Sequence, residues 1–90
     1  MTSPKSKDFQ KQIDEIFEFS ESKMLNAVII TAGNLHRVVG NYPGSDHRMP
    51  ICCSVMKKNM IKEDQILHSP TKGAGASLMI QYIFPRLRKN

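Results

Sequence analysis

The chain has 90 residues and a formal net charge of +5, from 13 Lys and Arg against 8 Asp and Glu. One domain fits in that length and large multidomain enzyme architectures do not. With 40% hydrophobic and 23% charged residues the composition lies near the globular average, so a small packed core is expected and a disordered or collagen-like chain is not.

Phe9, Ile13, Ile16 and Phe17 recur at i, i+4, i+7 and i+8, with Gln10, Lys11, Asp14, Glu15 and Glu18 between them. This spacing predicts an amphipathic helix over about 7–21, with Met24 and Leu25 packing near its end and Phe19 at the edge of the stripe as a possible homodimer contact. The β-branched run Ala27 to Ile30 reads as a strand. Thr31 can cap the following helix through its hydroxyl, and Leu35, Val38 and Val39 give that helix, about 32–39, an apolar face. Gly40 stands where a left-handed C-terminal residue is wanted, and Asn41-Tyr42-Pro43-Gly44 supplies turn chemistry.

Ser45 and Asp46 are candidate caps, Met49 precedes a proline and is expected to be extended, and Pro50 suits the first turn of a helix over about 50–60. At 100° per residue, Ile51, Cys52, Val55 and Met56 form its inner side, while Cys53, Ser54, Lys57 and Lys58 face outward. A strand over 65–69, a flexible turn over 70–75 and a longer strand over 76–84 follow, with Leu78, Ile80, Tyr82 and Phe84 alternating inward. These two strands are expected to form a hairpin. Residues 1–6 and 86–90 read as flexible tails on a single domain.

The order helix, strand, helix, helix, strand, strand, over Phe9 to Phe84, resembles the winged helix-turn-helix superfamily. The connector Gly40 to Met49 is longer than the three or four residues usual between the two helices of such a motif. The resemblance implies an α+β fold of three helices with a small antiparallel β-hairpin wing. It also implies a double-stranded DNA partner, met in the major groove by helix 50–60 and along the backbone by the 70–75 wing. Such a module would act as a small regulator of transcription or an accessory factor; the alternative is a protein-binding winged helix, in which the amphipathic first helix with Phe19 makes the interface and the basic face is incidental. Carried over by position, Cys53, Ser54 and Lys57 would face bases or phosphates, Arg48 and Lys58 would flank them, Lys72 would sit in the wing, and Arg86 and Arg88 would extend the basic surface.

The distribution of charge agrees with that assignment. Through Asn34 the chain carries four lysines against five carboxylates, a net of −1; from Leu35 onward nine Lys and Arg face three carboxylates, a net of +6. A polyanion would be met by the second part, because neutralising phosphates releases counterions. Any single lysine is more often a solubilising surface group, and only the coincidence with the outward helix face raises these above that reading.

His36, His47, Cys52 and Cys53 supply donor types for a metal-responsive or redox-responsive regulator, a rival to DNA binding alone. Adjacent cysteines on a helix diverge by about 100°, however, and do not close easily on one ion. No metal or cofactor is therefore expected. Cys52 reads as a core residue, Cys53 as a surface thiol, His36 as solvent-facing or capping, His47 as a loop residue and His68 as an ordinary strand residue. The adjacent cysteines are also too close for an unstrained disulfide, which fits a reducing compartment. No nucleophile, base and orienting group occur together, and Lys72-Gly73-Ala74-Gly75 lacks the Lys-Ser/Thr and helix of a phosphate-binding loop, so enzymatic activity is not expected. The longest aliphatic run falls far short of the roughly 20 residues a membrane span needs, and the first residues lack the apolar stretch of a signal peptide. A cytoplasmic protein with no membrane partner is the expectation.

Overall fold

A computed structural model describes residues 4–40, 48–71 and 74–86. In chain order it contains α1 (Ser6–Ser22), β1 (Ala27–Thr31), α2 (Ala32–Val39), α3 (Met49–Lys58), β2 (Gln65–His68) and β3 (Met79–Ile83). The fold is α+β, with three helices and a three-stranded antiparallel sheet in the order β1-β3-β2.

The Asp8 carboxylate accepts the Lys5 backbone N–H at 2.8 Å at the start of α1, where an acid also suits the helix dipole. The helix buries Phe9, Ile13, Phe17 and Ser20 along one stripe, and Ile16 is half-buried beside them. Its end departs from expectation. Met24 takes φ 58°, a left-handed turn that projects its side chain outward, and it is 88% exposed; Leu25 is exposed as well. Neither belongs to the core or packs against it.

Thr31 is the N-cap of α2 by position, but its hydroxyl makes no capping hydrogen bond. Val38, expected on the apolar face, is exposed, and His36 is fully buried in its place. Gly40 has φ +130°, which favours glycine, although it is extended and not left-handed helical, and its N–H donates to the His36 carbonyl at 2.7 Å. Residues 41–47, with the expected turn and the Ser45 and Asp46 caps, lie outside the described residues. Met49 is the first residue of α3 and is helical, not extended; Arg48 is the N-cap, and Pro50 sits in the first turn, where no N–H is needed.

β3 is the central strand. It pairs with β1 from Ala27↔Ile83 to Thr31↔Met79, and with β2 through Gln65↔Gln81 and Ile66↔Ile80 before a register shift to His68↔Met79. The expected pairing of the last two strands is present, but the second begins only at Met79. Residues 76–77 form a turn instead, held where the Ala76 carbonyl accepts the Gly33 N–H at 3.0 Å. Gly33 permits this approach: a Cβ there would lie 3.2 Å from both Ala76 Cβ and Ala76 O. Leu78, Ile80, Tyr82 and Phe84 all point into the core, as the alternation predicts. There Phe17 meets Tyr82 and Phe84 edge-to-face at centroid distances of 5.1 and 5.4 Å, and the Tyr82 hydroxyl donates to the Met56 carbonyl at 2.7 Å. The core thus joins α1, α3 and the sheet.

Candidate nucleic-acid interface

α3 presents two distinct faces. Met49, Cys52, Cys53 and Met56 recur at helical spacing and are buried, whereas Pro50, Ser54, Lys57 and Lys58 fall on the opposite side and are exposed. Arg48, at the helix start, is exposed too, so the outer stripe carries cationic side chains at both ends and no carboxylate within the helix. Lys57 and Lys58 occupy the last turn, where cations also offset the partial negative charge of the carbonyl terminus.

Two contacts fix this helix on the body. His36 Nε2, buried on α2, accepts the Arg48 backbone N–H at 2.8 Å and so sets where α3 begins. His36 is accordingly a buried acceptor and not a solvent-facing residue; its ring also meets Phe9 edge-to-face at 5.0 Å. At the other end Asn59, the C-cap, exchanges side-chain amide hydrogen bonds with Gln10 of α1. Asn59 Nδ2 donates to Gln10 Oε1 at 2.9 Å, and Gln10 Nε2 donates to Asn59 Oδ1 at 2.8 Å. The stripe is therefore carried by a helix anchored at both termini.

The expected site residues divide into three groups. Arg48, Ser54, Lys57 and Lys58 share the α3 surface. Lys72 and Arg88 lie outside the described residues, as do the wing position 73 and His47. Cys53 and Arg86 are corrections. Cys53 is 2% exposed, because the segment entering β3 crosses over it: Gly75 N–H donates to its sulfur, and its thiol donates to the Gly75 carbonyl, both at 3.4 Å. The buried stripe of α3 is consequently turned toward Cys53 relative to the sequence expectation, leaving Ile51 half-buried. It is not a surface thiol.

Arg86 does not begin a flexible tail. Its side chain is 4% exposed, and its Nη2 meets the fully buried Asp64 Oδ2 at 2.8 Å while Nη1 donates to Oδ1 at 3.0 Å. The guanidinium also donates to the Asn59 carbonyl at 2.8 Å and lies over the Phe17 ring, 4.7 Å from its centroid. Asp64 additionally accepts the Ile61 and Ile83 backbone N–H groups, each at 2.8 Å. Burial by itself would raise the Asp64 pKa. The Arg86 hydrogen bonds and charge, with the two backbone donors, instead hold it below the ordinary carboxylate value. Arg86 is thus a structural cation, out of reach of a phosphate. No local sequence signal pairs Asp64 with Arg86: each sits in a run of charges, Lys62-Glu63-Asp64 before β2 and Arg86-Leu87-Arg88-Lys89 after β3.

Among the described residues no group of three His, Cys, Asp or Glu side chains is placed to hold a metal ion, and His36 and Cys52 are enclosed in the core. Burial, assisted by the neighbouring Cys53, pushes the Cys52 thiol up to about 12, so it stays protonated near neutral pH and is a poor nucleophile or ligand. No described helix is long and apolar enough to cross a membrane. Comparison with known proteins finds no matching family model, no similar curated protein and no similar solved structure.

Proposed function

We propose that the chain is a double-stranded DNA-binding module of the winged helix-turn-helix type, acting as a small regulator or accessory factor. The observation that carries this reading is the exposed stripe of Ser54, Lys57 and Lys58, with Arg48 at the helix start, on the side of α3 turned away from the core. A helix that exposes cations and has no Asp or Glu in its own sequence suits the major groove, where lysine and arginine reach phosphates and guanine edges and a serine hydroxyl reaches either. Further support comes from the element order, from the β1-β3-β2 antiparallel sheet and from the packing of α2 against α3. The connection between β2 and β3 would act as the wing, with Lys72 as its cation.

The deciding experiment is NMR titration of the labelled chain with mixed-sequence duplex DNA, single strands and zinc. Duplex is expected to shift Arg48, Ser54, Lys57, Lys58 and Lys72, and to leave the buried Cys53 and Arg86 side chains unperturbed. Shifts at His36, His47 and Cys52 with zinc, and none with duplex, would replace this reading with a metal sensor. Absence of duplex binding at about 50 mM salt, where phosphate contacts are strongest, would overturn it.

A further inference from the structure

β1 is an edge strand of the sheet. Phe84 N–H donates to the Asn26 carbonyl and Ala32 N–H to the Leu78 carbonyl, which fixes the alternation of the ladder. Val28 and Ile30 direct their backbone groups at β3, and Ala27, Ile29 and Thr31 direct theirs away from the sheet. Among the described residues no hydrogen bond outside the sheet reaches the N–H groups of those three or the carbonyls of Ala27 and Ile29. Proteins usually blunt such an edge with charge, proline or a bulge. The opposite edge has such features, a register shift between Ile66 and His68 followed closely by Pro70. The Ala27–Thr31 edge, AVIIT, has none, and Ile29 at its centre is 55% exposed.

We infer that β1 pairs with β1 of a second copy, antiparallel about a two-fold axis at Ile29, to make one continuous six-stranded sheet. The register follows from the alternation. Ile29 N–H and C=O groups exchange hydrogen bonds across the axis, and each Thr31 N–H donates to the partner's Ala27 carbonyl. A two-fold interface sets each surface against itself, so any charge near the axis meets a like charge. On a chain of net charge +5 that condition selects against the acidic and lysine-bearing face of α1 and the basic face of α3. β1 and the outward residues beside it on β3, Met79, Gln81 and Ile83, are uncharged. A second copy thus complements this edge in charge, in hydrogen bonding and in the apolar contact of Ile29 with its symmetry mate. A five-residue edge covers less than the roughly 800 Å² per partner of a standard complex, so the dimer belongs to the weak class.

The test is analytical ultracentrifugation of the full chain without DNA, over a wide concentration range. The native chain is expected to approach twice its monomer mass at high concentration. Ile29→Lys, a change at a solvent-facing site, is expected to weaken association at least tenfold while leaving the circular dichroism spectrum and Tm of the monomer in place. Ile29→Cys supplies an independent arm, because hydrogen-bonded antiparallel partners lie about 5.5 Å apart between Cα atoms, within disulfide reach. Mild oxidation should cross-link Ile29→Cys much faster than Phe19→Cys on α1, and the buried Cys52 and Cys53 should not compete. A native chain that stays monomeric at millimolar concentration overturns the inference, as does cross-linking through Phe19→Cys at the same rate. DNA plays no part in these measurements, so their failure leaves the DNA reading standing, and loss of DNA binding leaves the dimer standing.

Discussion

Asp64 shows how a single side chain can close an otherwise incomplete structure. Beyond Gln65 the β2–β3 ladder has run out, and the Ile83 N–H that would seek a strand partner finds the Asp64 carboxylate instead. The Ile61 N–H takes its other oxygen, and Arg86 neutralises the charge. Removing one member of a buried pair leaves the other charged and uncompensated, which costs about 3–5 kcal/mol. Arg86→Met is therefore expected to lower the urea midpoint by that equivalent, whereas Lys58→Ala, at an exposed site, should lie within about 0.5 kcal/mol of the native chain. Linkage gives the sign of the pH effect. The folded Asp64 pKa lies below its unfolded value, so the unfolded state binds more protons in the interval between them. The stabilisation is fully present above the unfolded value of about 3.9 and is lost as pH falls through the folded one. The stability gap between native and Asp64→Asn chains should accordingly narrow in acid; a gap independent of pH would contradict the pairing. At this scale the sequence was least legible, because Asp64 and Arg86 are distant in the chain and each looks like an ordinary surface charge.

At the scale of elements the sequence was far more legible, because hydrophobic period is a local property. The stripe of Phe9, Ile13 and Phe17 and the alternation of Leu78, Ile80, Tyr82 and Phe84 both mark buried faces correctly. Misplacements occur where a distant segment decides. Cys53 looks outward by angle alone, but the chain at Gly75 crosses over it; the strand expected from Ala76 is delayed because Ala76 is occupied by Gly33. This last contact is testable. Gly33→Ala would bring a methyl within 3.2 Å of the Ala76 carbonyl oxygen, and overpacking of this kind costs about 1–3 kcal/mol, against the gain in helix propensity that alanine ordinarily brings. Thermal denaturation should show a lower Tm. The Gln10–Asn59 amide pair, spanning α1 and α3, was likewise invisible in the sequence. Asn59→Ala would remove both amide contacts to the half-buried Gln10, whose Nε2 keeps Asp14 Oδ1 at 3.0 Å, and is expected to destabilise the chain by about 1 kcal/mol, measured by urea unfolding.

At the scale of the whole molecule, the charge of +5 has to be divided between cations that hold the fold and cations that face solvent. Arg86 belongs to the first kind, so the surplus in the second half of the chain overstates what a polyanion could meet. Arg48, Lys57, Lys58 and Lys72 remain as candidate phosphate contacts in the proposed mode of binding. Four such contacts give a slope of log affinity against log salt of about −3.6, so raising salt from about 50 to 200 mM should weaken duplex binding by roughly two decades. Lys57→Ala with Lys58→Ala should reduce the magnitude of that slope by about 1.8 and lower affinity across all sequences, with little change in Tm because both side chains are exposed. Arg86→Gln is the informative contrast. If Arg86 acts only through the core, conditions in which this variant is still folded should leave the salt slope unchanged while its Tm falls. A slope that dropped by about 0.9 in that variant would mean that Arg86 leaves Asp64 to contact phosphate when DNA binds. Fluorescence anisotropy titrations at several salt concentrations, run beside thermal melts of the same samples, separate the two outcomes.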